Sequence, residues 1–114
     1  MSTLELTHAI IDSLEEKKGE DILLLDLQEV ASFCDYFVIC TGTSDRMLDA
    51  LANTLVRDIS KTEKRKGRRE GESRDGWLLV DYGDVVVHLM SPDQRDYYSL
   101  EELWSDGKIL IHVQ

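Results

Sequence analysis

The stretch Trp77-Leu78-Leu79-Val80-Asp81-Tyr82-Gly83-Asp84-Val85-Val86-Val87-His88-Leu89-Met90 decides the fold. Two apolar, β-branched runs flank Gly83-Asp84, a two-residue connection whose glycine supplies the positive φ that tight hairpin turns need. The loop length sets the register of strands Trp77 to Tyr82 and Val85 to Met90. Tyr82 faces Val85, Val80 faces Val87 and Leu78 faces Leu89 on one side, while Asp81 faces Val86, Leu79 faces His88 and Trp77 faces Met90 on the other. The first side is made for a core. The second carries a Trp, an Asp and a His, and it is where a site would lie.

Upstream, Tyr36-Phe37-Val38-Ile39-Cys40-Thr41 is nearly continuous in apolar and β-branched residues, as a strand covered on both faces should be, and it is expected at the centre of the sheet. Asp21 to Asp26 is a short apolar run bounded by acids and reads as another buried strand. Ser2 and Glu5 have capping-box spacing ahead of Leu6, Ile10 and Leu14 on one helical face, with Lys17-Lys18-Gly19 as the stop. Ser44 caps a second helix through Leu48, Leu51, Leu55 and Ile59 to about Ser60. Downstream, Pro92 ends the sheet, Ser99 is expected to cap a helix containing Leu100, Leu103 and Trp104, and Lys108 to Val113 alternates weakly as a last strand. The order predicts a mixed α/β fold: one domain over residues 1–114, with a roughly five-stranded mixed sheet packed by helices.

The chain has 114 residues, a net charge of −10, 42% hydrophobic and 32% charged residues, which suits a globular domain. No apolar run approaches the roughly 20 residues of a membrane span, and the acidic opening lacks the character of a targeting segment, so a cytoplasmic protein without membrane contact is expected. Cys34 and Cys40 fall in strand-like, buried context and read as small core residues. Eight of the thirteen basic residues lie between Arg57 and Arg74, which leaves the remainder at −14. An acidic body argues against a broad nucleic-acid footprint and suits a basic protein partner. The run from Lys61 to Arg74 mixes acids with its bases and has no aromatics. It reads as a solvated loop, with a local phosphate contact as its alternative.

Local signatures for catalysis are poor. No Gly-rich phosphate loop, HExxH, CxxC pair or nucleophile elbow occurs. Gly42-Thr43-Ser44 resembles the Gly-Ser turn of nucleotidyltransferase folds, but Asp81 and Asp84 are three apart with a turn between them and do not project together as a two-metal platform. Ser44 is then a helix cap. His88 and Asp81 are diagonal neighbours on one face, which raises general acid/base work, yet no nucleophile accompanies them and a hydrogen-bonded structural His is the simpler reading. His8 and His112 give no ligand spacing with His88, so no metal site is expected. Trp77 reads equally as core or as interface anchor. From Asp75 to Asp106 eight acids accompany the single base Arg95, so an aromatic patch there would be rimmed by negative charge.

Three ordered blocks resemble the ribosomal silencing factor, or Iojap-related, family over essentially the whole chain: Asp35 to Ile39 with Thr41-Gly42-Thr43-Ser44, then Trp77 to His88, then Arg95, Tyr98 and Leu100 to Trp104. The resemblance implies a non-enzymatic, cofactor-free translation repressor. Such a factor binds large-subunit ribosomal protein fourteen, a basic protein, and blocks joining of the small subunit when nutrients are scarce. It also implies a fold related to nucleotidyltransferases without the catalytic carboxylates, and a homodimer when free. Carried over by position, it assigns Trp77, Asp81, Tyr82, Asp84, His88, Tyr98 and Glu101 to partner binding. The alternative is a nucleotidyltransferase-like enzyme using the Gly42-Ser44 turn, and a further possibility under the resemblance is a local ribosomal RNA (rRNA) contact by the basic run Lys61 to Arg74.

Overall fold

The computed structural model describes residues 2–114. The chain runs α1 (Thr3–Glu16), β1 (Glu20–Asp26), β2 (Tyr36–Thr41), α2 (Asp45–Glu63), β3 (Arg68–Glu72), β4 (Trp77–Asp81), β5 (Val85–Met90), α3 (Pro92–Tyr98), α4 (Leu100–Leu103) and β6 (Lys108–Val113). The strands form one mixed sheet in the order β3-β4-β5-β2-β1-β6, so the sheet has six strands, one more than expected. β2 and β5 are parallel neighbours at its centre, and the other pairings are antiparallel.

The hairpin register is as read from the sequence: Trp77 opposite Met90, Leu78 opposite Leu89, Leu79 opposite His88, Val80 opposite Val87 and Asp81 opposite Val86. Gly83 turns the chain at φ +89, a conformation open to glycine without a steric penalty. Every residue of β2 is buried. Its apolarity on both sides is explained by two hydrophobic clusters, one on each sheet face.

The first face is closed by α1 and α2. Ser2 Oγ accepts from Glu5 N and Ser44 Oγ accepts from Met47 N, each at 3.1 Å, which fixes where these helices begin. Leu6, Ile10 and Leu14 of α1 and Leu48, Leu51, Leu55 and Ile59 of α2 pack on Leu78, Val80, Val85, Val87 and Leu89. Each such burial contributes about 2 kcal/mol of transfer free energy, so this face carries most of the stability. Cys34 and Cys40 are buried and free, and burial pushes their thiols up to about 11 and about 12.

Two local expectations are corrected. The basic run is not a loop: its first residues end α2, and Arg68–Glu72 is an exposed edge strand paired with β4. It shows no apolar alternation because neither side faces the core. Backbone pairing and the cross-strand pair Arg68–Asp81 hold it, and its charges discourage a foreign strand from adding at that edge. Ser99 stands at the expected N-cap position of α4, but its side chain makes no capping bond. It adopts φ +43, ends α3 by donating its N–H to Arg95 O, and turns its hydroxyl back onto Asp96 O. The helix that follows is a single turn ending at Leu103, with Trp104 beyond it.

Candidate functional site

The second sheet face is only half covered, because the elements that cross it are short. Leu23 and Leu25 of β1, Phe37 and Ile39 of β2 and Met90 of β5 form its cluster with Leu27, Cys34 and Leu100, and Trp77, Val86 and Trp104 pack at the margin. α3 and the turn of α4 supply the cover. Pro92 starts α3 with Ser91 Oγ accepting from Gln94 N at 3.2 Å. Ser91 N donates to Gly76 O, tying the helix start to the start of β4. Gly76 sits at φ +76, and a Cβ there would lie 2.7 Å from Ser91 Oγ, so this junction requires glycine.

Aromatic rings run across this face in a connected row. Tyr97 packs on Tyr98 at 4.9 Å and Tyr98 on Trp77 at 4.7 Å. Trp77 neighbours His88 at 5.9 Å, and His88 meets Phe37 edge-on at 4.4 Å. Phe37, Phe33 and Trp104 complete the row at 5.7 to 6.1 Å. Its ends stand in solvent, with Phe33 59%, Tyr97 79%, Tyr98 46% and the adjacent Leu103 69% exposed. Exposed aromatics at this density are unusual on a surface that binds nothing.

The residues singled out from the sequence divide into groups. Trp77, His88 and Tyr98 come together in the row. Trp77 is half-buried, and its Nε1 donates to His88 Nδ1 at 3.2 Å. His88 is buried, its Nε2 has no partner, and desolvation pushes its pKa down to about 4. Asp81 shares this face of β4 but makes no hydrogen bond to His88. Its carboxylate accepts from Gly83 N at 2.7 Å and pairs with Arg68 at 3.3 Å, so the imidazole is neutral and apolar in its surroundings and is not activated by a carboxylate.

Tyr82 points to the first face, buried in the helix-covered core with its hydroxyl unpartnered and burial pushing its pKa up to about 12. Asp84 is a structural bracket. It accepts from Thr3 Oγ1 at 2.9 Å and from Arg65 Nη2 at 2.8 Å. Its partial burial opposes ionisation, but Arg65 and Thr3 together hold the carboxyl below its usual range. Glu101 lies on the far side of α3, with Oε2 3.6 Å from Arg95 Nε.

Sequence reasoning missed Phe33, Phe37, Tyr97 and Trp104 as members of the row, and Arg95 as the residue that holds α3 down. Arg95 is 8% exposed, and its Nη1 donates to Asp21 O and Thr41 Oγ1 at 2.8 Å each. The available signal was the solitary base in an acidic third of the chain, since a charged group is buried only when paired.

At the Gly42 turn, Ser44 Oγ is spent on its cap and the Thr43 N–H and hydroxyl donate to Met47 Sδ at 3.4 and 3.5 Å. Among the described residues no group of three or more His, Cys, Asp and Glu side chains is arranged to hold a metal ion, and no helix is long and apolar enough to cross a membrane. The basic run is largely neutralised within the chain: Arg65 pairs with Asp84, Arg68 with Asp81 and Glu70, Arg69 with Asp49 and Arg74 with Glu72.

These features define a small α/β domain whose sheet is sealed by helices on one face and presents a half-covered aromatic surface on the other. The chain belongs to the family described as ribosomal silencing factor during starvation, whose model matches residues 1–114. It is 39% identical over 108 residues to the ribosomal silencing factor of Bacillus subtilis, covering 95% of this chain and 89% of that one. It is 36% identical over 99 residues to the mouse protein named mitochondrial assembly of ribosomal large subunit protein 1, covering 84% of this chain and 43% of the mouse protein. A crystal structure of a Chromobacterium violaceum protein superimposes with a TM-score of 0.86 at 37% identity, covering 100% of this chain and 94% of that one.

Proposed function

We propose that this chain is a translation repressor that docks through its second sheet face on the large ribosomal subunit, at large-subunit ribosomal protein fourteen, and hinders small-subunit joining by its bulk. Membership of the silencing-factor family supports the coarse part of the reading, a ribosome-associated repressor rather than an enzyme of known reaction. The mouse relative's name, with its reference to the large subunit, supports the choice of subunit. The observation that carries the docking surface is the aromatic row from Tyr97 to Phe33 on a face its own helices leave half uncovered. Its surroundings are acidic, which favours a basic protein over RNA as the surface met.

In this reading Trp77 and Tyr98 are contact residues, and His88 supports Trp77 from beneath. Tyr82 contributes through the core, and Asp81 and Asp84 set the hairpin's shape. A homodimer of the free chain, implied by the family resemblance, would draw on the same uncovered face. The test is co-pelleting with purified large subunits. Trp77→Ala should lose binding by about tenfold or more, as truncation of a buried aromatic anchor does, while Lys66→Ala, an exposed residue of the basic run, should be retained like the parent. Equal retention of the two folded variants rejects the assignment. Subunit joining measured with and without the protein tests the steric step.

A further inference from the structure

The sheet has two edges, and they are built differently. β3, at one edge, is Arg68-Arg69-Glu70-Gly71-Glu72, charged at every position but the glycine. β6, at the other, is Lys108-Ile109-Leu110-Ile111-His112-Val113, aliphatic apart from one lysine and one histidine. Charges on an edge repel a foreign strand, and an apolar edge invites one. Among the described residues the backbone hydrogen bonds of β6 run to β1 alone, so the N–H and C=O groups on its outer side have no protein partner.

The two sides of β6 are also unequal. Ile111 and Val113 pack on the helix-covered core. Ile109 stands opposite Leu25, and so on the second sheet face, where it is 58% exposed. Between Ile109 and Ile111 the register to β1 slips by one residue, which makes Leu110 a bulge with its side chain 45% exposed. A bulge is one way to blunt an edge, but here it leaves two consecutive aliphatic side chains in solvent at positions where β3 carries charge.

Unpaired strand backbone takes one kind of ligand, an extended segment that completes the ladder. Its source follows from position and charge. Gly107 N donates to Trp104 O at 2.9 Å, so β6 begins where the aromatic row ends at Phe33 and Trp104. A protein seated along the row from Tyr97 to Trp104 meets this edge next. The edge is acidic: Glu20, Asp21 and Asp26 lie in the neighbouring β1 and Asp106 just before β6, against Lys108 as the one lysine. A second copy of the chain brings the same excess of acid and is disfavoured there, whereas a basic segment is drawn in. We propose that β6 takes up, as a seventh strand, an extended segment of the basic protein on which the second face docks, an inference that rests on the docking reading above. Main-chain pairing supplies the contact, and lysine or arginine in that segment meets the flanking acids.

Hydrogen exchange and co-pelleting on the intact chain test this. When purified large subunits are bound, exchange in the β6 segment should slow by about tenfold or more, while β3 exchanges as in the free chain. Leu110→Lys, which adds the missing charge, should lose about tenfold in affinity for the subunits. Leu4→Lys, the same change at a 43% exposed position on α1, should bind like the parent. Subunit binding that leaves β6 unprotected, or equal binding of the two lysine variants, overturns the proposal and leaves the docking reading intact. Should Leu110→Lys fold poorly, the exchange measurement on the unsubstituted chain decides. Protection of β6 that grows with the concentration of the free chain gives the edge to a second copy and overturns the proposal as well. Failure of the unsubstituted chain to pellet with subunits overturns the docking reading and this proposal with it.

Discussion

Trp77 Nε1 donates to His88 Nδ1 at 3.2 Å, and this bond places the proton of the neutral imidazole on Nε2, where no acceptor reaches it. The indole is thereby fixed in orientation at the cost of a buried, unsatisfied donor beneath it.

The same burial makes stability depend on pH. His88 titrates near 6.5 when unfolded and near 4 when folded, because desolvation disfavours the imidazolium. Between those values the unfolded chain holds more protons, so stability falls as pH falls through this window. The loss from this residue should reach about 2 kcal/mol by pH 5. Urea unfolding at pH 7.5 and pH 5 checks it: His88→Phe should show a pH dependence smaller by about that amount, and parallel behaviour of the two proteins would refute the assignment.

Asp84 joins the start of α1 to the hairpin turn through Thr3 and to the end of α2 through Arg65. Its carboxyl is held below its usual range, so its stabilisation is complete above the ordinary carboxylate pKa and is lost as pH falls through the lower, folded value. Asp84→Asn should cost about 1–2 kcal/mol at pH 7, and the difference from the parent should shrink as pH falls below the ordinary carboxylate range. A constant difference across this range in chemical unfolding would show that charge is not what Asp84 contributes.

The elements that were legible in the sequence are those whose residues answer to a core. The hairpin register, the doubly buried β2, and the caps Ser2 and Ser44 each leave a local pattern, whether alternation, a continuous apolar run or a side-chain oxygen before a helical stripe. β3 left none, because Arg68 to Glu72 is exposed on both sides and is held by β4 and by ion pairs with distant residues. The candidate site was half legible. Trp77 and Tyr98 stand in recognisable blocks, but Phe33 and Trp104 join the row only through the folding of a loop and a helical turn across the sheet. Tyr82 and Asp84 sit beside Trp77 in sequence, yet alternation and the turn send them to other jobs.

Arg95 should be the costliest polar residue to remove. Its guanidinium is nearly enclosed and bridges α3 to β1 and β2 through Asp21 O and Thr41 Oγ1. Arg95→Ala strands these acceptors and frees the helix, for a loss of about 3 kcal/mol or more. Arg95→Lys should recover only part of it, since an ammonium cannot span the planar set of partners. Hydrogen exchange should report the loss first in α3, and uniform loss of protection over the whole sheet would contradict this local role.

Within the proposed docking face, aromatic contact should outweigh charge at the hairpin. Asp81 already spends its carboxylate on Gly83 N and Arg68, so a partner's cation would have to compete with bonds the chain makes for itself. Tyr98 is 46% exposed yet lies against Trp77 at 4.7 Å, so it offers area without a large cost of ordering. Tyr98→Ala is therefore expected to weaken large-subunit binding by about 1–2 kcal/mol, and Asp81→Asn by less than about 0.5 kcal/mol, with the smaller effect confined to the association rate. Binding kinetics on immobilised subunits separate the two. A larger loss from Asp81→Asn, carried by faster dissociation, would move the anchor from the aromatic row to the hairpin carboxylate.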